Sequence, residues 1–164
     1  MSSLRFVDAS HSREQIHRLY KAYSDELARY SSQLTEEPMT EDLIDELYFY
    51  DSLLDKYFIE IDGQVVGFII LQYVDERYNV KSHLWYIVEF YIVPEYRRKG
   101  YGELAFKFFL EFYKRDFFYY VLKRNEPAKQ FWGNMTKKFG LKEVYRPDVT
   151  RDDDEEIETH SFAL

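Results

Sequence analysis

Glu89 is the one charged residue in the run 84–93, Leu-Trp-Tyr-Ile-Val-Glu-Phe-Tyr-Ile-Val. Taking a carboxylate out of water is costly unless it has a partner or a task. Burial also raises its pKa toward the range where it can accept a proton from an ammonium near neutral pH. A general base is one reading of Glu89; a structural ion pair with a Lys or Arg from a neighbouring element is the other. Beyond Pro94 the chain continues Glu95-Tyr96-Arg97-Arg98-Lys99-Gly100-Tyr101-Gly102. Arg97, Arg98 and Lys99 place three cations beside two residues that lack a Cβ, so an anion can approach the backbone closely. Phosphate binding fits that combination. A plain tight turn with solvated basic side chains is the alternative.

The elements around these residues follow from pattern. The run 84–93 is apolar on both parities apart from Glu89, as in a central strand covered on both faces. Pro94 has no N–H to give and ends the pairing. An apolar helix is expected over 103–115, and its first turn leaves backbone N–H groups without partners beside the positive end of the helix dipole. Gly100-x-Gly102-x-x-Ala105 after a strand also raises a dinucleotide fold. That fingerprint calls for an acidic residue about twenty positions on, to bind the ribose. Here the next strand ends at Lys123 and Arg124, and too little chain flanks the motif for a doubly wound sheet. The dinucleotide reading is rejected.

Composition narrows the class. The chain has 164 residues, with 20% aromatics and no Cys. One domain, 1–164, with an aromatic-rich core is expected, and disulfide, thiolate and Cys-based zinc chemistry are excluded. The net charge of −8 disfavours nucleic-acid binding, which needs a basic face, and is compatible with a cationic partner. There is no run of membrane-spanning length and no charged-then-apolar leader at the start. A soluble, cytoplasmic protein without membrane association is expected.

In chain order, 4–8 reads as a strand. Ile16, Leu19, Tyr20, Tyr23 and Leu27 recur at helical spacing behind Ser10 or Ser12 as N-cap. Residues 31–39 read as a polar loop. Thr40 caps a second helix whose buried side runs from Leu43 to Leu54. Strands 56–61 and 64–74 join through Asp62-Gly63, a two-residue hairpin signal, and Gly67 suggests a bulge or a close backbone approach. A polar loop over 75–82 leads into the central strand. After the central helix come a strand at 117–122, a helix capped by Asn125 and ended by Gly140, and strands at 141–145 and 157–163. The acidic stretch 152–156 reads as a solvated loop. The result is an α/β chain with a mixed, mostly antiparallel twisted sheet of about seven strands and helices on both faces.

Arg97-x-x-Gly100-x-Gly102 after an apolar strand ending Ile92-Val93-Pro94-x-Tyr96 resembles the acetyl-CoA motif of the GNAT superfamily of N-acetyltransferases. Asn125-x-x-Ala128-x-x-Phe131-Trp132 resembles its second cofactor motif, and the element order is similar over essentially the whole chain. The stretch from Glu89 to Arg97 is similar to that of diamine and aminoglycoside acetyltransferases. The resemblance implies acetyl-CoA as acetyl donor, no metal, and transfer to an amine of a small-molecule or peptide acceptor. It places the pyrophosphate on the backbone amides of Arg98, Lys99, Gly100, Tyr101 and Gly102. It places the pantetheine along Ile92 and Val93, with one amide polarising the acetyl carbonyl, and gives Asn125 a contact to the pantetheine arm. Where the family often has a Tyr as general acid for the leaving thiolate, this chain has Trp132, and indole cannot do that work at neutral pH. An acyl-CoA-binding module with weak or lost catalysis is therefore the second implied reading. Monomer and homodimer fit equally well, and the acceptor carries no motif.

Overall fold

The computed structural model describes residues 3–50 and 53–164. Its strands are β1 (Leu4–Asp8), β2 (Leu54–Ile61), β3 (Gln64–Val74), β4 (Leu84–Ile92), β5 (Phe117–Leu122), β6 (Lys142–Glu143) and β7 (Ile157–Ala163). Its α-helices are α1 (Arg13–Leu27), α2 (Ser32–Glu36), α3 (Glu41–Ile44), α4 (Tyr101–Tyr113) and α5 (Glu126–Lys138), with a π-helical turn, Asp45–Phe49, extending α3. The strands form one sheet in the order β1-β2-β3-β4-β5-β7-β6. Neighbours are antiparallel except β4 and β5, which run parallel. A parallel pair needs a crossover connection, and α4 supplies it.

Two apolar layers cover the sheet. On one face Ala105, Phe106 and Phe109 of α4 and Trp132 and Met135 of α5 pack on Ile69, Leu71, Ile87 and Ile92. On the other, Ile16 and Tyr20 of α1, Ile44 of α3 and Tyr48 of the π turn pack on Phe58, Phe68, Ile70 and Tyr91. The helices are thus on both faces, as the pattern required.

One irregularity in β4 decides where its side chains go. Ile70 lies opposite Glu89 and Leu71 opposite Ile87, so Val88 is an extra residue without a partner in β3. A one-residue bulge reverses the alternation of faces. Before Val88, Trp85 and Ile87 face α4 and α5; after it, Phe90 and Ile92 do. Glu89 is turned to the α1 side instead of into that apolar layer. Past the bulge β4 also leaves β5: the two pair only through Trp85, Tyr86 and Ile87 with Phe117, Phe118 and Tyr119. Their remaining lengths form the arms of a fork.

Gly67 bears out both suggestions made for it. A second irregularity falls between Ile59 and Glu60 beside it, and a Cβ on Gly67 would run into the Tyr91 carbonyl oxygen at 2.0 Å.

Several local expectations are corrected. The 31–39 loop contains α2, because the Ser31 hydroxyl accepts from the Leu34 N–H at 3.3 Å and caps it. Leu54 is not on a helix: it opens β2, buried against the α1 layer, and residues 51 and 52 of the expected second helix lie outside the described residues. Ser12 takes the N-cap position of α1 without a side-chain hydrogen bond. The expected 141–145 strand pairs only at Lys142 and Glu143.

Candidate active site

Glu89 is held by tyrosines and not by a cation. Its Oε1 accepts hydrogen bonds from the hydroxyls of Tyr20 at 2.9 Å and Tyr48 at 2.7 Å. The alternative reading, an ion pair with Lys or Arg, finds no such partner for Glu89 among the described residues. Glu89 keeps some contact with solvent, yet desolvation is the largest influence on its carboxyl and raises its pKa. The hydroxyls of Tyr48, Tyr23 and Tyr20 oppose that shift. The same three phenols are pushed well above their ordinary range, first by burial and then by the Glu89 charge. They stay protonated, as donors.

The fork leaves backbone amides of β4 without a partner in β5. The Val93 N–H donates to the Val66 carbonyl at 2.9 Å, on the β3 side. Alternation along a strand then directs the N–H groups of Ile92 and Phe90 the other way, toward the side β5 has left. The Ile92 carbonyl on that side accepts from Arg97 Nε at 2.7 Å. Ile92 is thus where a chain lying in the fork can be bonded. Val93 is not: its carbonyl accepts from the Tyr96 N–H at 2.9 Å, so both its backbone groups are committed. Phe90 is the residue sequence reasoning missed, and strand alternation from Ile92 would have found it.

The turn after β4 could hold an anion through its backbone N–H groups more than through its side-chain cations. The backbone N–H groups of residues 98–103 have no protein acceptor among the described residues, while Leu104 N–H already donates to Gly100 O at 3.0 Å. These N–H groups open α4, where the helix dipole adds positive potential. Arg98 has φ 58° and Gly100 φ 80°. Two left-handed residues within three positions fold the amides into a concave nest. Of the three cations, Arg97 is committed elsewhere. Its guanidinium pairs with both Glu26 oxygens at 2.9 and 2.8 Å, so it ties the turn to the end of α1 and is not a free charge for phosphate. Lys99 lies over the Tyr96 ring, with Nζ 5.3 Å from its centroid. Arg98 is exposed and has no acidic partner among the described residues. Tyr101 begins α4.

Across the fork, Asn125 Oδ1 accepts from the Ala128 N–H at 3.1 Å and caps α5, and its amide NH₂ can face a ligand. Trp132 is buried in an aromatic stack, 4.2 Å from the Tyr119 ring and 5.5 Å from Phe90, centroid to centroid. Two open concavities of about 530 and 410 Å³ lie along β5, β6 and β7, and neither is lined by Glu89 or the 97–102 turn. The unpaired amides of β4 and of the turn lie at the fork, and Glu89 is on the same strand, so the fork is the candidate site. Among the described residues no group of three or more His, Asp or Glu side chains is arranged for a metal ion, and no helix is long and apolar enough to cross a membrane.

The profile of the Acetyltransferase (GNAT) family matches residues 16–135, which includes Glu89, the turn and α5 as far as Met135. A search of curated protein sequences returns no match. Among solved structures, an acetyltransferase from Thermus thermophilus superposes with a TM-score of 0.67 at 14% identity, covering 99% of this chain and 97% of that one. The PaiA N-acetyltransferase of Thermoplasma acidophilum, solved in complex with coenzyme A, gives 0.61 at 16% identity, covering 100% and 99%. NAA60 of Arabidopsis thaliana, solved with a bisubstrate analogue, gives 0.57 at 12%, covering 100% and 98%. At these identities the structures speak for the shared fold, while the profile spans most of the chain. This chain belongs to the GNAT acetyltransferase family.

Proposed function

We propose that the chain moves the acetyl group of acetyl-CoA onto a primary amine of a small-molecule or peptide acceptor by direct attack, with Glu89 as general base. Acetyl-CoA-dependent N-acetyl transfer comes with the family; the acceptor and the residue roles are our reading. What carries it is the juxtaposition of a partly desolvated carboxyl, a strand with outward amides and a nest of free N–H groups around one fork. Acetyl-CoA supplies an activated thioester. The N–H groups of Arg98, Lys99, Gly100, Tyr101 and Gly102 suit its pyrophosphate. The Phe90 and Ile92 amides suit the pantetheine and the acetyl oxygen, where a preorganised donor stabilises developing negative charge.

An amine near neutral pH is mostly an ammonium and must lose a proton before it attacks. Glu89 lies on the α1 face, three residues before Ile92, or roughly 10 Å along the strand. That separation favours proton transfer through a water. Thiol release with a panel of polyamines, aminoglycosides, amino acids and peptide N-termini identifies the acceptor class. With the best acceptor, Glu89→Gln should lower turnover by about 10²–10⁴ and abolish the acidic limb of the pH profile. A loss under about threefold with that limb intact places the base elsewhere.

A further inference from the structure

We propose that Tyr20 and Tyr48 are positioning residues for the base: two phenols delivered from separate elements onto one carboxylate oxygen, which together set where Glu89 takes up and releases its proton. This rests on Glu89 being the base, and it brings in residues outside the fork and the turn.

The three oxygens form a closed triangle. Tyr20 and Tyr48 each lie within 2.9 Å of Glu89 Oε1, and their hydroxyls are 2.7 Å from each other. When Glu89 is ionised, both phenol hydrogens of the triangle point to it, and the Tyr23 hydroxyl is a further donor to the carboxyl outside the triangle. When it is protonated there are three hydrogens for three contacts: the carboxyl donates to one phenol, that phenol to the other, and the second phenol back to the carboxyl. Each charge state has hydrogen bonds available without movement of a heavy atom, and a base that loads and unloads in every turnover needs that.

The triangle is held from outside the site. Tyr20 lies mid-way along α1 and Tyr48 in the π turn, both buried. A π turn inserts an extra residue and re-aims the side chains after it. Asp45, its first residue, is fastened to α1 by His17 at 2.6 Å and Arg13 at 3.1 Å. The groups facing Glu89 are Tyr20 and Tyr23 from α1, Tyr48 from the π turn and Tyr86 from its own strand, with Ile70 opposite on β3. Arg151 stands beyond them, over the Tyr120 ring at 4.6 Å. Only phenols counter the desolvation of this carboxyl, so they are the means of adjusting it.

Tyr20→Phe and Tyr48→Phe keep the rings and remove one hydroxyl each. Losing a donor to the ionised form favours the protonated form, so the acidic limb of kcat at saturating acetyl-CoA and acceptor should move to higher pH. A hydrogen bond to a charged group corresponds to a shift of about one pH unit or more. A fluorinated tyrosine at position 48, a stronger donor, should move the limb the opposite way, which a role in packing alone would not do. If the limb stays put in both Phe variants while Glu89→Gln removes it, the proposal is wrong and the base assignment stands. If Glu89→Gln keeps the limb, the base assignment fails and takes this proposal with it.

Discussion

Gly102 sits beneath Phe131: a Cβ on Gly102 would meet Phe131 Cε2 at 3.1 Å and Ile92 Cγ1 at 3.7 Å. The contact joins the start of α4, the end of β4 and the face of α5 at one point. Gly100 differs: nothing lies within 4 Å of its Cβ position, but its φ is 80°. Two glycines of one turn therefore answer different requirements, one conformational and one of close packing.

Substitutions should separate the two. Gly100→Val must hold a β-branched residue in the left-handed region, at about 1–2 kcal/mol or more. Acetyl-CoA binding should weaken roughly 5- to 30-fold by that strain, whereas Gly100→Asn, which accepts the region more readily, should bind nearly as the parent. Gly102→Ala should displace the Phe131 ring, and combining it with Phe131→Leu should recover part of the loss. Calorimetric titration of the four proteins in that cycle should show a coupling of about 0.5–3 kcal/mol, as expected for residues in contact. Strict additivity would mean the contact does not govern the turn.

Glu156 fastens the acidic loop after β6 to the start of α2. Its carboxylate accepts from Ser31 Oγ at 3.0 Å, Ser32 N–H at 2.9 Å and Ser32 Oγ, and these bonds lower its pKa from 4.5 to about 2. A depressed folded-state pKa contributes stability above the unfolded value, and that stability is lost as the pH falls through the folded one. The Tm difference between the parent and Glu156→Gln should thus be full above about pH 4.5 and shrink toward pH 2. A Tm difference independent of pH would assign the effect to something other than this carboxylate.

Much of this was legible from pattern. The period of the apolar residues, Pro94 as a stop and the glycine turn into α4 identified the central unit, because each is a local rule with a local cause. The bulge at Val88 was not legible. The run 84–93 is apolar on both parities, so sliding it by one residue changes no hydrophobic match, and the face of Glu89 stayed undetermined. Nor did composition show that Arg97 would be claimed by Glu26, 71 residues earlier in the chain. By pattern alone, Tyr20 belongs to one apolar stripe and Tyr48 falls within another, between Leu43 and Leu54. A tyrosine on such a stripe looks the same whether its hydroxyl is needed or merely tolerated, and only the fold shows two of them ending on one carboxylate.

Trp132 should act by packing alone. It is 9% exposed, stacked on Tyr119 and edged by Phe106 at 5.3 Å and Phe90 at 5.5 Å. Removing so much buried surface, as in Trp132→Ala, should destabilise the protein by about 3–5 kcal/mol. Trp132→Phe should lose less, because the stack keeps a ring. Through Phe90, whose amide opens on the fork, either change should also weaken acetyl-CoA binding. Neither should alter the alkaline limb of the pH–rate profile, since an indole N–H donates hydrogen bonds but does not titrate in this range. Trp132→Tyr is the stringent case. A phenol at 132 would be enclosed by the same rings, so stability should fall and turnover should not rise. A clear rise in turnover, with a new alkaline limb, would show that position 132 reaches the leaving thiolate and that a lost acid had been restored there.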